Sequence, residues 1–83
     1  MEAIVGEIKI VKMLKNRCDI TYNGKPYTIN KWGCILKNTN GWYQHAVLDF
    51  EPYSLCQAIV DKVLSMTTGK TFWIGNERAY AFK

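Results

Sequence analysis

Asn23-Gly24 stands between two runs of alternating character, and it constrains the fold more than any other feature of the chain. Before it, Cys18, Ile20 and Tyr22 alternate with Asp19 and Thr21; after it comes Lys25-Pro26-Tyr27-Thr28-Ile29. Asn-Gly suits a two-residue hairpin turn because both central residues must accept positive φ. Pro26 cannot donate to a strand ladder, so the hairpin is expected at or near a sheet edge.

The same period of two extends outward. Ile4, Ile8 and Ile10 share one face, with Glu7 and Lys9 opposite, which predicts a half-buried strand over residues 4–12 followed by a turn at Lys15-Asn16-Arg17. A short strand is expected over Trp32–Leu36, then a polar turn over Lys37–Gly41 and a return arm over Trp42–Leu48. Acids at Asp49 and Glu51 and the proline at Pro52 mark a helix start, and the helix is expected to run from about Pro52 to Met66. Cys56, Ile59, Val60, Val63, Leu64 and Thr67 fall on one stripe, with Gln57, Asp61, Lys62 and Ser65 opposite. Gly69 is the expected C-terminal stop. Thr71–Ile74 and Arg78–Lys83 around Gly75-Asn76-Glu77 predict a closing hairpin, with Phe72, Ile74, Tyr80 and Phe82 all available to the core.

These elements predict an α+β fold: a mostly antiparallel sheet of five to six strands with one amphipathic helix packed on it. Connections this short do not allow crossovers. At 83 residues one core is the limit, so residues 1–83 read as a single domain, and 48% apolar with 22% charged residues suits a globular chain rather than a disordered one. No stretch approaches the roughly 18 apolar residues of a membrane span, and the acidic Met1–Glu7 segment lacks the pattern of a secretory signal. No membrane contact and a cytoplasmic location are the expectations. Cys18, Cys34 and Cys56 are an odd set without close spacing, expected as reduced core thiols.

Catalytic signatures are sparse. The sharpest is Cys34 with His45 and Asp49 as an orienting group, and one helix on a small sheet leaves little volume for a cleft. The six glycines are isolated, one histidine excludes paired-histidine metal sites, and the acids do not pair on a common face. A non-catalytic binding protein without cofactor or metal is therefore expected.

Charge and aromatics point to the partner. The net charge is +4, and residues 1–37 hold seven Lys/Arg against three acids, whereas residues 38–83 hold four of each. Such asymmetry suits an acidic partner, or serves to keep edge strands soluble. Trp32, Trp42 and Tyr43 lie near turns and near Lys31 and Lys37, where they stack on bases, anchor a protein interface, or close the sheet over the core. The candidate partner-binding residues are Lys9, Lys12, Arg17, Lys25, Lys31, Trp32, Lys37, Trp42 and Tyr43.

The helix from Cys56 to Met66, followed by Thr71-Phe72-Trp73-Ile74-Gly75-Asn76 and Ala79-Tyr80-Ala81-Phe82, resembles the helix and closing hairpin of some small phage-encoded anti-CRISPR proteins. The resemblance covers about a third of the chain and carries over no functional residue. It implies a viral, stoichiometric inhibitor in the host cytoplasm that docks on a host protein or nucleoprotein complex and blocks nucleic acid access. The residues alone leave a second reading open, a basic module that binds DNA or RNA through its N-terminal Lys/Arg and exposed aromatics, and exposed strand edges leave a monomer or a homodimer open.

Overall fold

The computed structural model describes residues 5–46, 49–50 and 54–83. Among these the fold is α+β, as expected, with the strands divided between two sheets. β1 (Ile8–Met13), β2 (Arg17–Tyr22), β3 (Lys25–Asn30), β4 (Ile35–Thr39) and β5 (Trp42–His45) form an antiparallel meander in sequence order, α1 spans Ser54–Ser65, and β6 (Lys70–Ile74) with β7 (Glu77–Ala81) makes a separate two-stranded sheet. Ile4, Val47, Leu48, Glu51 and Pro52, which the sequence reading placed at the ends of strands and at the helix start, lie outside the described residues. No helix among the described residues is long and apolar enough to cross a membrane.

Turn chemistry sets the meander. Asn23 and Gly24 adopt φ of 50° and 84°, the two positive values that the tight turn requires, and Tyr22 pairs with Lys25. A second Asn-Gly, Asn40-Gly41, does the same at 52° and 86°, so β4 runs on through Lys37 and Asn38 to Thr39 where the sequence suggested a longer turn. The first hairpin is interior to the sheet, not at its edge. Pro26 is tolerated there because β4 pairs with β3 only at Thr28 and Ile29, beyond the proline.

The strand expected at Trp32–Leu36 begins three residues late, at Ile35. Asn30 causes the delay: its side-chain oxygen accepts hydrogen bonds from the amides of Trp32 (3.0 Å) and Cys34 (2.9 Å), and Gly33 takes a φ of 77°. In β1, the pairing with β2 slips between Ile10 and Lys12, so Ile8 and Ile10 face inward before the bulge and Met13 after it, leaving Val11 exposed.

One core joins the three elements. Ile20, Ile29, Tyr22, Tyr27 and Cys18 from the sheet meet Leu55, Ile59, Val60 and Val63 from α1, Tyr80 from β7 and Phe82 just after it. Ile59, Val60 and Val63 of the expected helix stripe are buried, with Leu55 added at its start; Cys56 and Leu64 flank it half-buried, and Thr67 lies beyond the helix end. Phe50 fills the corner between Tyr22 (5.6 Å, edge-on) and Tyr27 (5.1 Å). The helix ends when Thr67 donates its hydroxyl to the Leu64 carbonyl at 2.9 Å and accepts from the Gly69 amide at 3.1 Å. Gly69 has an ordinary φ, so it is not a left-handed cap; it is needed because a Cβ there would run into the Ala81 carbonyl and Phe82 Cα.

The closing hairpin departs most from expectation. Only β7 enters the core; every residue of β6 is exposed, including Phe72 and Ile74. The reason is the way β7 is held. Its edge away from β6 donates the Tyr80 amide to the Lys31 carbonyl (2.7 Å) and the Phe82 amide to the Lys15 carbonyl (3.0 Å), which turns β7 inward and β6 outward.

Burial raises the Cys18 thiol from 9.0 to about 11, with the Asp19 charge adding to it, and burial first and Asp49 second raise the Tyr27 hydroxyl. Both groups hold their protons more tightly when folded, so the unfolded chain binds fewer protons above pH 9 and stability falls as pH rises through 9 to 11. Thermal unfolding between pH 8 and 11 is expected to show that decline, with a shallower slope for Cys18→Ala; equal slopes would remove Cys18 as a cause.

Candidate functional site

In an antiparallel meander the first and third turns emerge at one end of the sheet and the second and fourth at the other. The turn after β1 carries Lys15 and Asn16, with Arg17 opening β2, and Asn30 closes β3 before the loop that carries Lys31 and Trp32. These six residues, with Leu14 between them, line one open depression of about 600 Å³. Three cations and no acid are among the described residues that line it.

The chain builds this site from its backbone outward. The Leu14 amide donates to the Arg17 carbonyl (2.8 Å), which closes the first turn, and Asn30 braces the second loop through its two accepted bonds. Gly33 lets that loop pass under the Tyr80 ring, since a Cβ on it would sit 2.6 Å from Cε2. Within the loop, the Lys31 ammonium stands 5.1 Å from the Trp32 ring centroid, and Trp32 remains 37% exposed. Arg17 is half-buried. Its Nε is buried and makes no hydrogen bond; the Asp19 carboxylate at 3.5 Å compensates its charge without hydrogen-bond geometry, and the same Oδ1 accepts from the Thr28 hydroxyl at 2.9 Å.

The nine residues that the sequence singled out fall in several places. Arg17, Lys31 and Trp32 come together in the depression. Lys9 and Lys12 lie on the outer face of β1, opposite Thr21 and Asp19, and Lys9 makes an exposed ion pair with Glu7 at 3.5 Å. Lys25 follows the Asn23-Gly24 turn at the far end of the sheet, the end that also carries Trp42. Lys37 is not an open cation: its ammonium reaches both oxygens of Asp49, at 3.1 and 3.2 Å. Trp42 and Tyr43 are adjacent in the edge strand β5, pointing to opposite faces, and Tyr43 borders a smaller depression of about 260 Å³ across the outer face with Asn38, Thr28 and Asp19.

Asp49 also bears on the Cys34 and His45 pair. Its carboxylate is engaged by Lys37 and, at 3.4 Å, by the Tyr27 hydroxyl, so it braces β4 rather than orienting an imidazole. The described residues contain no group of three or more His, Cys, Asp or Glu side chains placed to share a metal ion.

Lys15, Asn16 and Asn30 were missed by the sequence reading. Turn parity was the signal that would have found them, since it places Lys15-Asn16-Arg17 beside the residues after β3. Phe72, Trp73 and Ile74 were assigned to the core or passed over, and they stand exposed on β6.

Compared with models of known protein families, with curated proteins and with solved structures, the chain matches none.

Replacing Asn30 by Ala frees the Trp32 and Cys34 amides, at a cost of about 1 to 2 kcal/mol for one exposed and one part-buried bond. Read in a variant that retains Trp32 alone (Trp42→Phe, Trp73→Phe), Asn30→Ala is expected to red-shift the emission and raise its quenching by iodide. An unchanged spectrum would mean that Asn30 does not position the indole.

Proposed function

We propose that this chain is a small non-catalytic binding protein that engages nucleic acid, free or within a nucleoprotein complex, at the depression formed by Lys15, Arg17, Lys31 and Trp32. One observation supports this most: one end of the sheet gathers Lys15, Lys31 and the Asp19-paired Arg17 around an exposed indole, with no acid among the described residues that line the depression. Cations spaced around a groove follow a phosphate backbone, and an indole offers a face to one base. A base stacked on an aromatic ring contributes about 1 to 3 kcal/mol without regard to its identity. The open shape and the single exposed ring suit a single strand, whose bases are free to stack, better than a duplex.

A second reading rests on β5. Trp42 is 75% and Tyr43 53% exposed on an edge strand, and exposed Trp and Tyr are frequent anchors of protein interfaces. On that reading the chain docks on a host protein as an inhibitor, the role that the resemblance to anti-CRISPR proteins implies.

Titration of the Trp32-only protein with short single-stranded and duplex DNA and RNA at two salt concentrations separates the two. The first reading expects single strands to quench Trp32, with log K falling against log salt at a slope of about −2 for three phosphate contacts. Lys15→Glu and Lys31→Glu are each expected to weaken binding tenfold or more, with Lys25→Glu nearly neutral. No quenching, or equal effects of all three substitutions, would reject the depression as a nucleic acid site and favour the β5 reading.

A further inference from the structure

Among the described residues three sheet edges have no paired strand, and they are not equivalent. The β1 edge carries a bulge at Val11 and exposed lysines at Lys9 and Lys12, the features that discourage strand addition. β5 runs directly into residues 47–48, outside the described residues. β6 has no bulge and no proline, and it exposes Phe72 (42%), Trp73 (68%) and Ile74 (44%) in succession.

The hairpin register shows which main-chain groups of β6 are free. Gly75 has a φ of 60° and Ile74 pairs with Glu77 across the two-residue turn, so Ile74, Phe72 and Lys70 point their amides and carbonyls at β7. Thr71 and Trp73 point theirs outward. β7 obeys the same alternation, which continues one residue past its end: the outward amides of Tyr80 and Phe82 are the ones that reach Lys31 and Lys15. The inner sheet edge is therefore closed by the loops, and the outer edge offers two amides and two carbonyls in one short row.

We propose that β6 pairs with β6 of a second copy of this chain, antiparallel about a two-fold axis through Phe72, to form a four-stranded sheet across the dimer. In that register Phe72 faces its own counterpart as a non-hydrogen-bonded pair, and Thr71 and Trp73 exchange four main-chain hydrogen bonds with Trp73 and Thr71 of the second copy. Charge complements the register. Lys70 falls opposite Ile74 of the second copy, whose neighbour on the same face is Glu77 of that copy, so each lysine approaches an acid, and no like charges stand directly opposed.

The full chain, with Cys34→Ser and Cys56→Ser to limit background oxidation, provides the test. Sedimentation equilibrium is expected to show the mass rising with concentration from 9.6 kDa toward twice that value. Phe72→Cys is expected to oxidise to a disulfide-linked dimer, because residues paired across the axis have Cα atoms about 4.5 Å apart. Ile74→Cys is expected not to, since its two copies stand about 14 Å apart. Trp73→Pro removes an outward amide while leaving the β6–β7 bonds intact, and it is expected to sediment as a monomer. A wild-type mass that stays at 9.6 kDa, equal crosslinking at positions 72 and 74, or an unimpaired dimer in Trp73→Pro would each overturn the proposal. The first of these outcomes would leave the edge to a strand from a different protein.

Discussion

Two main-chain hydrogen bonds, from the Tyr80 amide to the Lys31 carbonyl and from the Phe82 amide to the Lys15 carbonyl, decide how the halves of this chain meet. They contribute about 0.5 to 1.5 kcal/mol each. Burial of the Tyr80 and Phe82 rings, at about 1.5 to 3 kcal/mol for a ring of Phe size, supplies more of the stability. The bonds supply placement. They fix β7 against the two loops at one end of the meander, put both rings into the core with Ile20, Ile29 and Ile59, and leave β6 on the outside. Gly33 and Gly69 are the steric conditions for this, since a side chain at either would collide with β7.

The basic depression is a consequence of the same docking. Lys15 and Lys31 give their carbonyls to β7 and both line the depression, Lys31 with its ammonium 5.1 Å from the Trp32 ring, so the contact that stabilises the hairpin also fixes the backbone that carries two cations beside Trp32. Lys37 shows the contrast. It is as cationic as Lys31, yet it lies mid-strand within reach of Asp49 and is spent on holding the segment after β5 against the sheet. Position in the fold, rather than local charge density, separates a cation able to meet a ligand from one that meets its own chain.

Much of the architecture was legible in the sequence because local chemistry and tertiary packing agree there. Asn23-Gly24 forms the turn its residue types demand, and the α1 stripe of Ile59, Val60 and Val63 enters the core as its period requires. The misreadings arise where a distant partner overrides a local pattern. Trp32–Leu36 has strand composition, but Asn30 captures two amides and Tyr80 requires the glycine below it. Phe72 and Ile74 alternate as a buried strand would, and nothing within β6 says that its neighbour takes the only inward place. The candidate site was half legible: Arg17, Lys31 and Trp32 were recognised by type, but their assembly depends on turn parity, which also scatters Lys25 and Trp42 to the opposite end.

Amide hydrogen exchange in a dilute sample tests the docking of β7 most directly. The account predicts strong protection of the Tyr80 and Phe82 amides, lost together in Gly33→Ala, beside fast exchange at Thr71 and Trp73 under the same conditions. Fast exchange at Tyr80 and Phe82 with protection at Thr71 and Trp73 would contradict it, because the hairpin would then be joined to the rest of the fold through its other edge.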